Sequence, residues 1–205
     1  MNFLSFKQKL KDFVVFNLRD IRKIENRFDL RRLNEWQSKG YIKMLRKGYY
    51  IFTDIDLNEA SLFLIANKLY APSYISLEMA LSHYSLIPEA VYGITSVSSR
   101  KTNRFQTKHG EFIYRRVKPA LMFGYRLENY KNYSIKIAEM EKAVLDYFYL
   151  NTNIQTEDDF AGLRFNKTEF LAQVDRKKLQ DYLKAMGNKR MEKRFNKFLK
   201  HINYD

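Results

Sequence analysis

The stretch "YIKMLRKGYYIF", residues 41–52, decides the fold of the first quarter of the chain. Ile42, Met44 and Arg46 alternate with Lys43 and Leu45, which we interpret as the period-two pattern of a β-strand. Lys47 and Gly48 supply a turn, and the aromatic-rich segment 49–52 returns as a second strand. The pattern therefore predicts a short β-hairpin with a basic tip.

Three amphipathic segments precede this hairpin. Apolar residues at helical spacing indicate a helix in "SFKQKLKDF", a second helix after the N-cap Asn17 and a third helix after Asp29. Gly40 follows the third helix, where a glycine commonly ends a helix. Three helices followed by a basic hairpin is the order of elements in a winged helix-turn-helix. In that fold the third helix enters the major groove of DNA, and the hairpin lies along the phosphates.

Side chains suited to DNA contacts lie on the outward face of the third predicted helix and on the hairpin. Arginine can bind guanine through two hydrogen bonds and asparagine can bind adenine in the same way, whereas basic residues in turns meet phosphates. We expect Arg31, Arg32 and Asn34 in the groove. The alternative is a small helical bundle with a solvated charged face. The candidate DNA-binding residues are Arg27, Arg31, Arg32, Asn34, Ser38, Lys39, Lys43, Arg46, Lys47 and Tyr49.

The charge of the 205-residue chain is unevenly distributed around a net value of +14. Residues 1–52 carry 13 Lys/Arg against 5 Asp/Glu, residues 53–98 carry 1 against 5, and residues 99–205 carry 23 against 13. Two basic blocks thus flank a mildly acidic middle. Such blocks indicate a phosphate-rich partner, and nucleic acid is favoured over a membrane because no hydrophobic anchor accompanies them. A solvated basic surface is the alternative. Together with the predicted winged helix-turn-helix, the charge favours double-stranded DNA as the partner.

Several classes of protein are disfavoured by composition. The chain has no cysteine, so disulfides, thiolate nucleophiles and cysteine-based metal sites are absent. Its first residues lack the apolar core of a signal peptide, and no run of 18 apolar residues occurs. Three histidines without ligand spacing predict no metal, and seven glycines offer no phosphate-cradling loop, so we expect no cofactor. We expect a cytoplasmic protein that does not bind membranes.

The stretch "PSYISLEMALSHYSLIPE", residues 72–89, raises the question of a catalytic triad. Ser76, Glu78 and His83 lie within eight positions of one another. Ser76 is placed as the N-cap of a helix, Glu78 lies in its first turn, and His83 falls on another face. A nucleophilic serine needs an exposed, glycine-flanked elbow, which is missing. The stretch therefore predicts the start of a helix, and no catalytic residue is proposed.

The remaining chain predicts a mixture of strands and helices. Asp56 or Asn58 caps an apolar helix, "ITSVSS" and "GEFIYRRV" predict a hairpin with a basic connection, and a helix follows "YSIKIA". Within that later helix Glu141 and Asp146 are five positions apart, so they are not placed as a catalytic pair. The predicted fold class is α+β: an N-terminal winged helix-turn-helix at 1–54, then a larger mixed α/β domain at 55–205 with a basic helical C-terminus.

A second basic surface is predicted from the central connection and the C-terminal helices. Seven Lys/Arg and one Glu occur between 100 and 118, and ten Lys/Arg occur between 176 and 200. This surface could contact nucleic acid or an acidic partner, and a solvated surface is the alternative. Its candidate residues are Arg100, Lys101, Arg104, Arg115, Arg116, Lys193 and Lys197.

The order of motifs resembles the AbiE-type antitoxins (AbiEi family), transcriptional regulators of bacterial abortive-infection systems. The resemblance is carried by "YISLEMALSHYSLIPEAVYGITSVSSRKTNRF", "GEFIYRRV" and "AEMEKAVLDYFYL". It covers about residues 15 to 150 and leaves the last 50 unmatched. Met140 stands where the family often has proline, and Ser85 stands where it often has glycine, so local backbone shape differs there.

The resemblance implies an antitoxin of a type IV toxin–antitoxin system that also represses its own operon at inverted repeats. It further implies that the C-terminal domain counters a cognate nucleotidyltransferase-like toxin, without requiring a stable complex. The first alternative is a stand-alone winged-helix regulator of a defence locus. A nucleic-acid-processing enzyme and an RNA-binding module are the others, and the enzyme lacks clustered carboxylates or a histidine pair.

Overall fold

The first quarter of the chain folds around a small antiparallel sheet. The computed structural model describes residues 1–88 and 93–204. The sheet has the strand order β1-β3-β2, so the hairpin β2–β3 is extended by one short strand from between the first two helices. The elements here are α1 (Phe3–Lys9), β1 (Phe16–Asn17), α2 (Leu18–Ile24), α3 (Arg31–Ser38), β2 (Ile42–Arg46) and β3 (Tyr49–Phe52).

Predicted local signals are observed at α2, after α3 and in the hairpin, whereas the predicted helix start after Asp29 is one residue off, since Leu30 is the N-cap of α3. The Asn17 side chain accepts hydrogen bonds from the first turn of α2, and the Asp20 carboxylate accepts one from the Asn17 backbone N–H. Gly40 follows α3 with a φ of 71°, and Gly48 occupies the hairpin turn with a φ of 83°. Glycine adopts such angles without the steric cost of a Cβ atom. The predicted hairpin and the predicted cap of α2 are therefore confirmed.

The rest of the chain is a mixed α+β structure built on a six-stranded sheet of order β6-β7-β5-β4-β9-β8. The predicted helical C-terminus is confirmed, with Asp175 and Asn188 capping its last two helices. The elements are α4 (Glu59–Leu69), β4 (Ser73–Ile75), α5 (Glu78–His83), β5 (Gly93–Ser98), β6 (Asn103–Thr107), β7 (Gly110–Arg116), β8 (Tyr125–Tyr130), β9 (Tyr133–Ala138), α6 (Met140–Leu150), α7 (Glu157–Gly162), α8 (Lys167–Gln173), α9 (Arg176–Met186) and α10 (Lys189–His201).

The predicted hairpin between "ITSVSS" and "GEFIYRRV" is wrong. Strands β5 and β7 are parallel, with Ile94 opposite Phe112. The basic connection itself forms β6, which pairs with β7 in antiparallel fashion around the turn at Lys108 and His109. The connection after β5 passes the position of β7 and forms β6 at the edge of the sheet. The chain then turns back as β7, which fills the place between β6 and β5 and runs parallel to β5.

The sheet is covered by an apolar layer on each face. Tyr74 and Ile75 are neighbours in β4 and belong to different hydrophobic clusters, because successive strand residues point to opposite faces. Helices α5, α6, α9 and α10 pack on the side of Tyr74. Helix α4 packs on the side of Ile75, together with Val15 and Leu45 from the first quarter of the chain. The small sheet is therefore packed directly against the large one.

The predicted N-cap role of Ser76 is also wrong. Helix α5 begins at Glu78, and its early N–H at Met79 is bound by the hydroxyl of Thr95, 2.9 Å away. The same hydroxyl donates to the carbonyl of Ser76. The Ser76 side chain instead points to Asp146. The cap of α5 is thus supplied by a neighbouring strand. Residues 89–92, which belong to the first motif of the resemblance, lie outside the described residues.

Candidate nucleic-acid interface

Helix α3 presents a polar face to solvent. The Arg31 side chain is 92% exposed, and its Nε lies 3.2 Å from an oxygen of Asp29. Asn34 is exposed one turn further, and Ser38 after it donates from its hydroxyl to the Asn34 carbonyl. Lys39 is exposed and pairs with Glu35 at 2.6 Å. Because exposed ion pairs contribute little, the Arg31 and Lys39 cations remain able to exchange their partners for a phosphate or a base edge.

Arg32 does not belong to this exposed face. It is half-buried, and its guanidinium donates to the carbonyl of Met1. Its neighbours Leu33 and Trp36 are buried in the core of the first quarter of the chain. Arg32 therefore ties α3 to the N-terminus, which leaves it fewer free donors than Arg31.

The hairpin β2–β3 carries cations on its exposed edge and tip. Lys43 and Lys47 are exposed, and Arg27 is exposed in the segment before α3. Tyr49 is half-buried at the start of β3, next to the hairpin turn. Among the described residues, Arg27, Lys43 and Lys47 form no salt bridge. These three side chains are available to a phosphate.

Arg46 points away from solvent. Its guanidinium carbon lies 4.5 Å from the ring centroid of Phe105 and 5.8 Å from that of Tyr70. Its Nη1 donates to the carbonyl of Leu69 at the end of α4. Cation–π contacts and a buried carbonyl together fix this side chain between the hairpin and the large sheet. The structure thus places Arg46, a predicted phosphate contact of the wing, at the junction of the two sheets with its guanidinium bound to protein groups.

Tyr70 links the hairpin to the second basic surface. The guanidinium of Arg100 lies over the Tyr70 ring at 4.3 Å, so Arg46 and Arg100 contact the same ring. The Tyr70 hydroxyl donates to the carbonyl of Lys101 at 2.8 Å. Arg100 and Lys101 are both exposed beyond the end of β5. This part of the second basic surface therefore adjoins the hairpin.

The other part of the second basic surface surrounds the C-terminal end of α6. Arg115 donates to the Leu150 carbonyl at 2.9 Å, and Arg194 of α10 donates to the carbonyls of Phe148, Asn151 and Ile154. Cations are favoured at this end of a helix because the last carbonyls lack helical partners. Arg194 was not among the predicted residues, and the basic run that contains it gave no signal to separate it from its neighbours.

The remaining predicted residues of this second basic surface are exposed. Arg116 ends β7, and Lys193 and Lys197 flank Arg194 on α10. Arg104 on β6 is paired with Glu111 at 3.1 Å. The structure thus brings β7 and α10 together at one end of α6, although they are distant in sequence.

A buried polar network lies beneath these surfaces. Lys142 and Asp146 of α6 are fully buried and form an ion pair. The Lys142 ammonium also donates to the Tyr74 hydroxyl at 2.9 Å, and the Tyr74 and Ser76 hydroxyls donate to Asp146 at 2.8 and 2.9 Å. Burial raises the pKa of Asp146, while Lys142 and the two hydroxyls oppose that rise. Sequence spacing had predicted only a structural role for Asp146, and its burial and hydrogen bonds are those of a structural group.

The other residues considered for catalysis lie apart. The ring of His83 contacts Glu59 at 2.9 Å, whereas Ser76 contacts Asp146. Over residues 1–88 and 93–204, no three His, Asp or Glu side chains are grouped so that they could hold a metal ion. In that same part of the chain, every helix is too short or too polar to cross a bilayer.

Neither a known protein family nor a curated protein matches this sequence.

Proposed function

We propose that the chain is a DNA-binding antitoxin of the AbiE type that represses its own operon. The observation that carries the DNA-binding part is the order of elements in the first quarter of the chain. A helix, a short strand, two helices and a hairpin follow one another, and the short strand β1 pairs with β3. This order is that of a winged helix-turn-helix, in which α3 is the recognition helix and β2–β3 is the wing.

In this proposal Arg31, Asn34 and Ser38 of α3 contact base edges in the major groove. Their side chains are exposed on one face, and their chemistry suits guanine and adenine edges. Lys43 and Lys47 of the wing contact phosphates. Such contacts set the position of the protein on the duplex without specifying sequence.

Arg27 and Lys39 complete the proposed phosphate contacts at the two ends of α3. Arg46 and Arg32 are left out of the contact set because their guanidinium groups already bind protein carbonyls. The exposed Arg100, Lys101 and Arg116 extend the positive surface beyond the wing.

The antitoxin part of the proposal rests on the sequence resemblance. The motifs that carry it contribute to one buried network: Tyr74 and Ser76 come from the first motif, and Lys142 and Asp146 come from the last. These residues hold β4 against α6, so they are suited to specifying the fold. We propose that the exposed surface of residues 55–205 counters a nucleotidyltransferase-like toxin encoded nearby.

DNA binding is tested by gel shift with overlapping duplexes from the region upstream of the gene. We expect one duplex containing an inverted repeat to bind, and Lys47→Gln to weaken binding on all duplexes and to reduce the slope of log K against log salt by about 1. Lys177→Gln is the matched control, because Lys177 is exposed on α9. Equal affinity and salt slope for Lys47→Gln and the wild type would exclude the wing contact.

The antitoxin activity is tested by co-expression with the neighbouring toxin gene. We expect both the full chain and residues 55–205 to restore growth. If the full chain binds its upstream DNA but never restores growth, the protein is a stand-alone regulator of the winged-helix class.

A further inference from the structure

A cleft lies between the exposed edge of β2 and the turn that joins β6 to β7. It encloses about 290 Å³, and its walls include Gln37 at the end of α3, Lys43 and Met44 of β2, and Lys108 and His109 of the turn. This volume approaches the lower end of the range for small-molecule pockets. The cleft therefore has the size of a small ligand.

The charges that line this cleft have one sign. Lys43 and Lys108 are exposed at its rim, and no Asp or Glu is among its lining residues. The Nε2 atom of His109 is buried and has no hydrogen-bond partner among the described residues. Burial and the nearby Lys43 ammonium lower the pKa of His109. The imidazole nitrogen lacks a hydrogen-bond partner, and the ammonium groups of Lys43 and Lys108 lack a salt bridge among the described residues. A bound anion would supply partners to all three groups.

The cleft is held in shape by the turn itself. The Thr107 hydroxyl donates to the Gly110 carbonyl at 2.8 Å and accepts from the His109 N–H at 3.1 Å. The opposite wall is formed by β2, where the apolar Met44, which is 52% exposed, lies next to Lys43. A ligand that combines an anionic group with a flat or apolar body would match both walls.

We propose that this cleft binds a small phosphorylated organic molecule, with the phosphate between Lys43, Lys108 and His109 and its organic part against Met44. Binding itself does not require the proposed DNA interaction. Because Lys43 is also a proposed phosphate contact of the wing, bound ligand would compete with DNA for that side chain, and this consequence rests on the proposed function.

The test uses the full chain with adenosine monophosphate, pyrophosphate and adenosine at matched ionic strength. The chain has three histidines, so imidazole NMR resolves each ring, and His109→Gln assigns the signal. We expect the monophosphate to raise both the His109 pKa and the melting temperature, because an anion favours the protonated ring and a bound ligand stabilises the folded state. We expect no effect of adenosine.

Two lysine variants distinguish binding in the cleft from nonspecific attraction of the anion to the basic surface. Lys108→Gln is expected to weaken monophosphate binding about fivefold to tenfold, as loss of one charge-assisted contact does. Lys177→Gln is expected to leave it unchanged, and far-ultraviolet circular dichroism checks that both variants fold. The proposal is overturned if neither adenosine monophosphate nor pyrophosphate changes the His109 pKa at about 10 mM. Any dissociation constant would then lie above about 10 mM, which is too weak for a binding site.

Two further outcomes also overturn the proposal. One is unchanged monophosphate binding by Lys108→Gln. The other is a His109 pKa that responds to duplex DNA but not to the monophosphate, which would make the cleft part of the DNA interface only. If the wild type binds no duplex yet binds the monophosphate, the proposed DNA-binding function fails and the ligand site stands.

Discussion

Lys142 and Asp146 lie one turn apart on α6 as a fully buried ion pair whose carboxylate also accepts hydrogen bonds from Tyr74 and Ser76. The hydroxyl groups belong to β4 and the residue after it, so the pair joins the helix to the centre of the large sheet. Charges removed from water are costly unless every partner is present. Removing either member of the pair should therefore lower the stability of the folded protein.

Lys142→Met should destabilise the protein by about 3–5 kcal/mol, because it leaves the Asp146 carboxylate buried without a cation. Urea unfolding at pH 7 measures the change. The double variant Lys142→Met/Asp146→Asn should lose less, since the amide oxygen can still accept from Tyr74 and Ser76 without carrying charge. A double variant less stable than Lys142→Met alone would contradict the ion-pair account.

The cost of Lys142→Met should depend on pH. Burial raises the pKa of Asp146, and removal of Lys142 takes away the main group that lowers it. A carboxyl whose pKa is raised in the folded state favours folding below its unfolded pKa and loses that contribution as pH rises. The stability difference between variant and wild type should therefore be smaller near pH 4 than at pH 7, as unfolding at the two pH values would reveal.

Arg46 and Lys47 should behave differently although they are neighbours in the wing. Arg46→Ala should lower stability by about 2 kcal/mol, because it removes the contacts with Phe105 and the Leu69 carbonyl. Lys47→Ala should change stability by less than about 0.5 kcal/mol, as expected for an exposed residue. Thermal unfolding compares them, and equal stability of the two variants would refute the junction role of Arg46.

Arg194→Ala should destabilise the end of α6. The guanidinium serves three carbonyls there, and a buried acceptor that loses a charged donor costs about 2 kcal/mol. Lys193→Ala is the control, because Lys193 is the exposed neighbour on the same helix. Amide hydrogen exchange at the last turn of α6 should be faster in Arg194→Ala than in the wild type, and unchanged in Lys193→Ala. Equal exchange rates in the two variants would count against the prediction.

The His109 imidazole should titrate below its ordinary pKa of 6.5, since burial and Lys43 both oppose its protonation. Lys43→Gln should move the midpoint back towards 6.5 by removing the like charge, and NMR titration of the ring measures it. A group whose folded pKa is depressed costs stability as pH falls below its unfolded pKa. An unchanged midpoint in Lys43→Gln would mean that the two groups are not close.

Gly124→Ala should destabilise by about 1–3 kcal/mol, as overpacking does. The backbone there has a φ of 69°, and an added Cβ would lie 2.9 Å from the Tyr182 ring and 3.0 Å from Cγ of Lys142. Gly162→Ala meets nothing within 4 Å and ends helix α7, so it should be neutral or slightly stabilising. Chemical denaturation of both variants provides the comparison.

Much of the fold could be predicted from sequence because its signals are local. The cap at Asn17 and the glycine after α3 act within four residues, and the structure confirms both. The predicted alternation in β2 is wrong, because a bulge between Met44 and Arg46 interrupts the strand, with Met44 exposed and Leu45 buried. The DNA contacts of α3 and the wing, the antitoxin role and the division at residue 54 stay predictions. The sequence could not separate Arg31 from Arg32, since the burial of Arg32 depends on the Met1 carbonyl, 31 positions away.

The sequence by itself determined the start of α2 at Asn17 and the hairpin β2–β3, because the hydrogen bonds of a cap or a tight hairpin join residues a few positions apart. Only the tertiary structure decided which strands are neighbours. Parallel pairing of β5 with β7, the cap that Thr95 supplies to α5, and the contact of Ser76 with Asp146 join residues up to 70 positions apart. Such contacts follow from the order of strands in the sheet, which no local pattern of side chains specifies.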